Sequence, residues 1–215
     1  MKSRYGAWQA QVQRGVMIVL ALLFLSAPAA AAGVKTVLVL GDSLSAGYGL
    51  AIDQGWVALT AQRMRASHPG WRVVNASISG ETTAGGASRI GAEIARVRPA
   101  VVIVELGAND GLRGLAVAQT RANLDRIIRT STSAGAKVLL IGMRLPPNFG
   151  PQYTQAFEQT FLELSKKHRV AFLPFLLQPI AGGRGNFQAD NMHPTAAVQP
   201  KLRDYVWVGL KPLLK

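Results

Sequence analysis

Cysteine is missing from all 215 residues. Its absence excludes a disulfide framework, a thiolate zinc or iron-sulfur site, a cysteine nucleophile and a lipid-modified N-terminal cysteine. Acids are few, 11 Asp plus Glu against 24 Lys plus Arg, and charged residues make up only 16% of the chain while hydrophobic residues reach 49%. Such a chain is neither disordered nor a coiled coil, and its length suits one globular domain. The net charge of +13 points to an anionic partner, although net charge governs solubility and non-specific attraction and not fold. No Gly-Lys-Ser/Thr phosphate loop, no Gly-x-Gly-x-x-Gly after the first strand and no His-Glu-x-x-His occurs. Phosphoryl transfer, dinucleotide binding and zinc hydrolysis therefore lose their usual carriers. No aromatic-rich sheet motif or clustered basic arm speaks for nucleic acid.

Long hydrophobic runs are also missing, apart from residues 16–25. That run is too short to cross a hydrocarbon core, which needs about 20 apolar residues. Lys2, Arg4 and Arg14 precede it, and an Ala-rich stretch with Ala30 and Ala32 follows. The pattern predicts a signal peptide over residues 1–32 and an exported domain over 33–215. No Arg-Arg pair is present, which favours the general secretory route over the twin-arginine one. Losing the three leader cations lowers the net charge by three.

The remainder alternates strand and helix. Short apolar runs at residues 36–40, 72–76, 101–106, 137–142 and, more weakly, 170–173 read as strands buried on both faces. Helical spacing fills residues 56–67, 87–97, 117–133 and 154–167, and a last helix is expected over 195–215. This alternation predicts an α/β fold with a parallel sheet and right-handed helical crossovers. In such folds working residues gather at the carboxyl ends of strands.

Polar residues stand at those ends. The first strand runs into Gly41-Asp42-Ser43-Leu44-Ser45, the second into Ser77-Ile78-Ser79-Gly80, and the third into Gly107-Ala108-Asn109-Asp110. Asp190-Asn191-Met192-His193 follows near the C-terminus. Together they supply a nucleophile, a backbone N–H, an amide donor and a base with its carboxylate. Singly each has a plainer reading: Ser43 as a helix N-cap, Gly80 and Gly107 as turn glycines, Asn109 as an Asx-turn residue. Of three histidines only His193 has an acid three positions before it, a modest coincidence with 11 acids. The weight lies in all four blocks falling at strand ends, in the order one rim requires. The strict Gly-x-Ser-x-Gly elbow is missing, because Ser45 stands in place of the second glycine.

The blocks Gly41-Asp42-Ser43-Leu44-Ser45, Gly80, Gly107-x-Asn109-Asp110 and Asp190-x-x-His193 resemble, in order and spacing, the SGNH (GDSL) hydrolase family. Residues 41–48, 74–80, 104–114 and 144–146 resemble its exported bacterial thioesterase, arylesterase and lysophospholipase members, over essentially the whole of 33–215. The resemblance implies a flavodoxin-like three-layer α/β/α sandwich around a five-stranded parallel sheet. It implies Ser43 as nucleophile, Asp190 and His193 as its partners, and an oxyanion hole of the Ser43 and Gly80 N–H groups with the Asn109 amide. It also implies substrate contacts from Leu112, Arg113, Leu145 and Pro146, the first two in a loop over the acyl chain. Residues 83–88 and 182–189 depart from that pattern, which leaves chain length and thioester against oxyester preference open.

Such a site needs no metal and no organic cofactor. The expected partners are small-molecule acyl esters or thioesters, lysophospholipids among them, acting on a monomer. Arg121, Arg126 and Arg129 recur at helical spacing and read as a solvated face, with attraction to an anionic membrane surface as the functional alternative. Two other functions fit the scaffold: a carbohydrate O-deacetylase, and a non-catalytic lipid- or envelope-binding protein.

Overall fold

Val and Leu fill the first apolar run after the expected leader, and this run becomes an interior strand of the sheet. The computed structural model describes residues 33–215, so the expected leader over 1–32 lies outside the described residues. Strands β1 (Lys35–Gly41), β2 (Trp71–Asn75), β3 (Val101–Glu105), β4 (Lys137–Ile141) and β5 (Ala171–Leu173) form one parallel sheet in the order β2-β1-β3-β4-β5. Each lies within one residue of its expected bounds. β3 is buried at every position, and β1 everywhere except Lys35. β2 differs from the expectation of burial on both faces: it is an edge strand, and none of its residues is fully buried.

Seven α-helices accompany the strands among the described residues: α1 (Ser43–Ala46), α2 (Trp56–Ser67), α3 (Thr83–Val97), α4 (Ala108–Leu112), α5 (Val117–Ser133), α6 (Pro151–His168) and α7 (Gln199–Leu210). α3 packs on α5 and α5 on α6, while α2 packs on α7. The helices thus form two layers with the sheet between them. α3 starts four residues earlier than its spacing suggests, because Thr82 caps it by accepting the Gly85 N–H. Gly85 and Gly86 hide that start in the sequence. At Gly86 a Cβ would collide with the Leu106 side chain, so helix and strand meet there only without one. The single helix expected over 195–215 is three pieces: a 3-10 turn at Ala196–Val198, α7, and a 3-10 turn at Lys211–Leu213.

Strand order reverses direction between β1 and β3. Their carboxyl ends lie side by side, with Gly41 paired to Glu105. A crevice at such a switch point is where an open α/β sheet offers backbone and side chains to a ligand.

Candidate active site

The chain turns from β1 into α1 at Asp42. Asp42, not Ser43, caps that helix: its Oδ1 accepts the Leu44 N–H at 3.0 Å. The capping role open to Ser43 in the sequence is therefore filled by its neighbour, and the Ser43 hydroxyl stays available. Beneath it lies a buried polar bed. Ser45 Oγ donates to Glu105 Oε2 at 2.6 Å, and Asn75 Nδ2 donates to the Ser45 carbonyl at 2.9 Å. Gly41 makes this approach possible, since a Cβ there would stand 2.7 Å from Ser45 Cβ and 2.9 Å from Glu105 Oε2. Glu105 is fully buried, and among the described residues its Oε1 has no hydrogen-bond partner. Burial, reinforced by the nearby Asp42 charge, pushes its carboxyl well above the usual range. A neutral acid is the form that tolerates an unpaired buried oxygen. Asp42 is also fully buried, and burial pushes it up to about 6 against the pull of the Leu44 N–H.

The second half of the site is an exposed loop. His193 Nε2 lies 2.8 Å from Ser43 Oγ, and its Nδ1 lies 2.7 Å from Asp190 Oδ2. Asp190 Oδ1 accepts the Met192 and His193 N–H groups at 2.9 and 3.0 Å. The His193 backbone and ring, then the Met192 N–H, hold Asp190 down at about 2. It is an anion throughout the neutral range. Gln188 fastens the loop: its N–H donates to the His193 carbonyl at 2.8 Å, and its Nε2 to the carbonyls of Tyr48 at 2.9 Å and Pro194 at 3.1 Å. The Tyr48 ring covers the imidazole, with centroids 4.5 Å apart and planes tilted by 37°.

Asn109, at the start of α4, bridges the remaining two segments. Its Nδ2 donates to the Glu81 carbonyl at 3.0 Å and to Asp42 Oδ2 at 3.4 Å. The amide thus sits between the residue before Ser43 and the residue after Gly80, and it does not close an Asx-turn. Gly80 has φ 80°, and neither its N–H nor that of Ser43 meets an acceptor among the described residues. Asp110 anchors this corner from below. Fully buried, it accepts the Thr83 N–H at 2.8 Å and the hydroxyls of Thr83 at 2.5 Å and Thr120 at 3.3 Å. Those bonds tie α3, α4 and α5 together.

The four residues expected at the substrate end gather nearby. Leu112 is 41% exposed, and Arg113 Nη2 donates to the Gly80 carbonyl at 3.1 Å. Leu145 packs against α4 at Gly111, where a Cβ would overlap its side chain; Pro146 is exposed. The segment over 111–114 ends α4 and turns at Gly114, φ 64°. The sequence marks no role for Tyr48, Glu105 or Gln188, and it marks Ser45 and Asp110 only as members of their motif blocks. Of the first three only Glu105 left a signal, as an acid closing an otherwise apolar strand. A second histidine also meets a carboxylate, His168 Nε2 with Asp125 Oδ1 at 2.8 Å across two helices, a pairing that involves no acid three positions before it.

A serine at the sheet's switch point, hydrogen-bonded to a histidine that rests on an anionic carboxylate, is the geometry of a serine hydrolase. The GDSL-like Lipase/Acylhydrolase family pattern matches residues 39–199, and the chain belongs to that family of SGNH hydrolases, which makes it an ester-hydrolysing enzyme. Among its relatives is the esterase TesA of Pseudomonas aeruginosa, 49% identical over 91% of this chain and 96% of that protein. Thioesterase 1/protease 1/lysophospholipase L1 of Escherichia coli K12 is 40% identical over 86% of this chain and 87% of its own. The crystal structure of esterase EstA from Pseudoalteromonas sp., inhibited by monoethylphosphonate, superimposes with a TM-score of 0.80 at 38% identity, covering 84% of this chain and 98% of that one.

Proposed function

We propose that Ser43 attacks the acyl carbonyl of carboxylic esters and thioesters, and that an acyl-enzyme on Ser43 is then hydrolysed by water. The observation that carries this is the 2.8 Å contact between Ser43 Oγ and His193 Nε2, with Asp190 2.7 Å behind the ring. His193 takes the serine proton as the C–O bond forms, then delivers it to the departing alkoxide or thiolate. Asp190 keeps Nδ1 protonated, so that Nε2 is the nitrogen free to accept. The tetrahedral oxyanion is received by the Ser43 and Gly80 N–H groups and by Asn109 Nδ2. For Asn109 the long 3.4 Å bond to Asp42 is the one exchanged, while the Glu81 bond holds the amide in place. Water repeats the attack on the acyl-Ser43 ester with His193 again as base.

The rim supports acyl substrates. Tyr48, Ile78, Leu112 and Met192, from four separate rim segments, are each 41–54% exposed, and apolar side chains around a polar centre favour acyl chains and aryl groups over sugars. Leu112, Arg113, Leu145 and Pro146 flank the acyl group. Substrates of this chemistry include medium-chain esters, thioesters and lysophospholipids, met by an exported monomer after removal of residues 1–32, with transient association at an anionic membrane surface.

Hydrolysis of p-nitrophenyl esters from two to twelve carbons, with Ser43→Ala alongside, tests the reading. A Ser43-dependent rate with a medium-chain optimum supports it. An optimum at acetate favours the O-deacetylase. A folded wild type no faster than Ser43→Ala on any chain length overturns ester hydrolysis at this serine.

A further inference from the structure

Six exposed cations collect at one end of the strand axis. Because the sheet is parallel, strand starts and helix ends meet at one end of the molecule, opposite the catalytic rim. Lys35 opens β1 and Lys137 opens β4; Arg98 and Arg169 close α3 and α6; Lys211 and Lys215 follow α7. All six are exposed. The C-terminal segment crosses two of the strand starts: Lys35 Nζ donates to the main-chain oxygen of Lys215, the last residue, at 2.9 Å and Lys137 Nζ to the Leu213 carbonyl at 3.1 Å. Among the described residues none of the six forms an ion pair with Asp or Glu. Glu93, on the helix that Arg98 closes, is held by Arg89 and Arg96. Five of the eleven acids, Asp42, Glu81, Glu105, Asp110 and Asp190, surround the site at the other end, while Asp125 pairs with Lys167 and His168 in the last turn before Arg169.

Cations at helix ends offset the helix dipole, and this accounts for part of the cluster. It does not account for Lys35 and Lys137, which open strands. Nor does it explain why Arg98 and Arg169 keep left-handed backbone, φ 48° and 52°, at helix ends where glycine is the favoured residue. The basic stripe noted in the sequence behaves differently, since Arg121 pairs with Glu163 and Arg129 with Asp125 on the helix flank. An apolar hollow of about 450 Å³, lined by Ile94, Ala95, Pro99 and Ala134, opens beside Arg98. A guanidinium next to apolar surface suits a phosphate that carries a lipid.

We infer that the amino end of the sheet is a docking face for an anionic phospholipid bilayer, holding the enzyme with its catalytic rim turned away from that membrane. The inference rests on the membrane association proposed above and assigns it a face, independent of which ester the site cleaves. The docked enzyme acts on substrate arriving from the aqueous side.

Co-sedimentation tests it with residues 33–215, whose sheet and core form one compact unit over 34–215. Vesicles of phosphatidylglycerol mixed with phosphatidylcholine should bind the protein at low salt, and vesicles of phosphatidylcholine alone should not. The variant Arg98→Gly/Lys137→Glu/Arg169→Gly lowers the net charge by four while easing both left-handed positions, and its melting temperature checks that it folds. Its partitioning should fall on the order of a hundredfold. The control Arg121→Gln/Arg126→Glu/Arg129→Gln changes the net charge equally and should fall far less. Equal losses in the two variants, no binding to phosphatidylglycerol vesicles, or equal binding to heparin with the same sensitivity would overturn the assignment. Hydrolysis of a soluble short-chain ester should be unchanged in both variants and in the vesicle-bound wild type. Loss of turnover on binding would overturn the orientation.

Discussion

The two halves of the site are built by opposite means. The serine half stands on the central strands of the sheet, over carboxyls that are fully buried and pushed toward their neutral forms. The histidine half is an exposed loop whose carboxylate is pulled down to about 2 by backbone N–H groups and the imidazole. One half gains its rigidity from packing, the other from local hydrogen bonds. Nucleophile position is thus tied to global stability, while the acid–base pair can loosen without unfolding the sheet.

The largest break in this comparison should come from Ser43→Ala, which removes the only group shared by both halves. Turnover on p-nitrophenyl esters should fall about 10⁵-fold or more, with the melting temperature nearly unchanged. Asn109→Ala should lower kcat by about 10² to 10³ with little change in KM, since an oxyanion donor acts in the transition state. Unchanged turnover would remove Asn109 from that role.

The two aspartates should respond to pH with opposite signs. Asp42 holds its proton up to about 6 in the folded state against an ordinary value of 3.8. The unfolded chain therefore releases that proton first, and folding loses stability as pH rises from about 4 to 6. Denaturant melts of wild type against Asp42→Asn should diverge across that window by about 3 kcal/mol, with the variant gaining. Asp190 runs the other way: its contribution is present above about 4 and is lost as pH falls toward 2. Asp190→Asn should therefore flatten only the acid side of the stability profile.

Gln188→Ala should give the smallest effect. It releases the loop from the Tyr48 and Pro194 carbonyls, at a cost of about 1 to 2 kcal/mol. Turnover should fall about tenfold while thermal stability barely moves. A melting temperature that drops in step with activity would show that loop and sheet are one cooperative unit.

Ser43, Asn109, Asp190 and His193 were legible because each is a polar group just beyond an apolar run or a short distance from the next motif block. The five strands were legible for the same reason, while the start of α3 was masked by Gly85 and Gly86. Glu105 closes an apolar strand and Asp110 closes its motif block, but no local pattern shows that these buried acids support Ser45 and the start of α3. The roles of Tyr48, at the end of the 41–48 stretch, and of Gln188 come from contacts across about 140 residues of chain.

Local apolar period and turn chemistry, which are properties of neighbouring residues, let the sequence determine the alternation of strand and helix, the rim to which the polar blocks belong, and the family. The tertiary structure decided what depends on distant segments meeting. It brought His193 within 2.8 Å of a serine 150 positions away, gave the cap to Asp42 and the hydroxyl to Ser43, buried Glu105 as an acid, and set six exposed cations at the amino end of the sheet. Burial and through-space distance set those outcomes, and neither is written in any single stretch of chain.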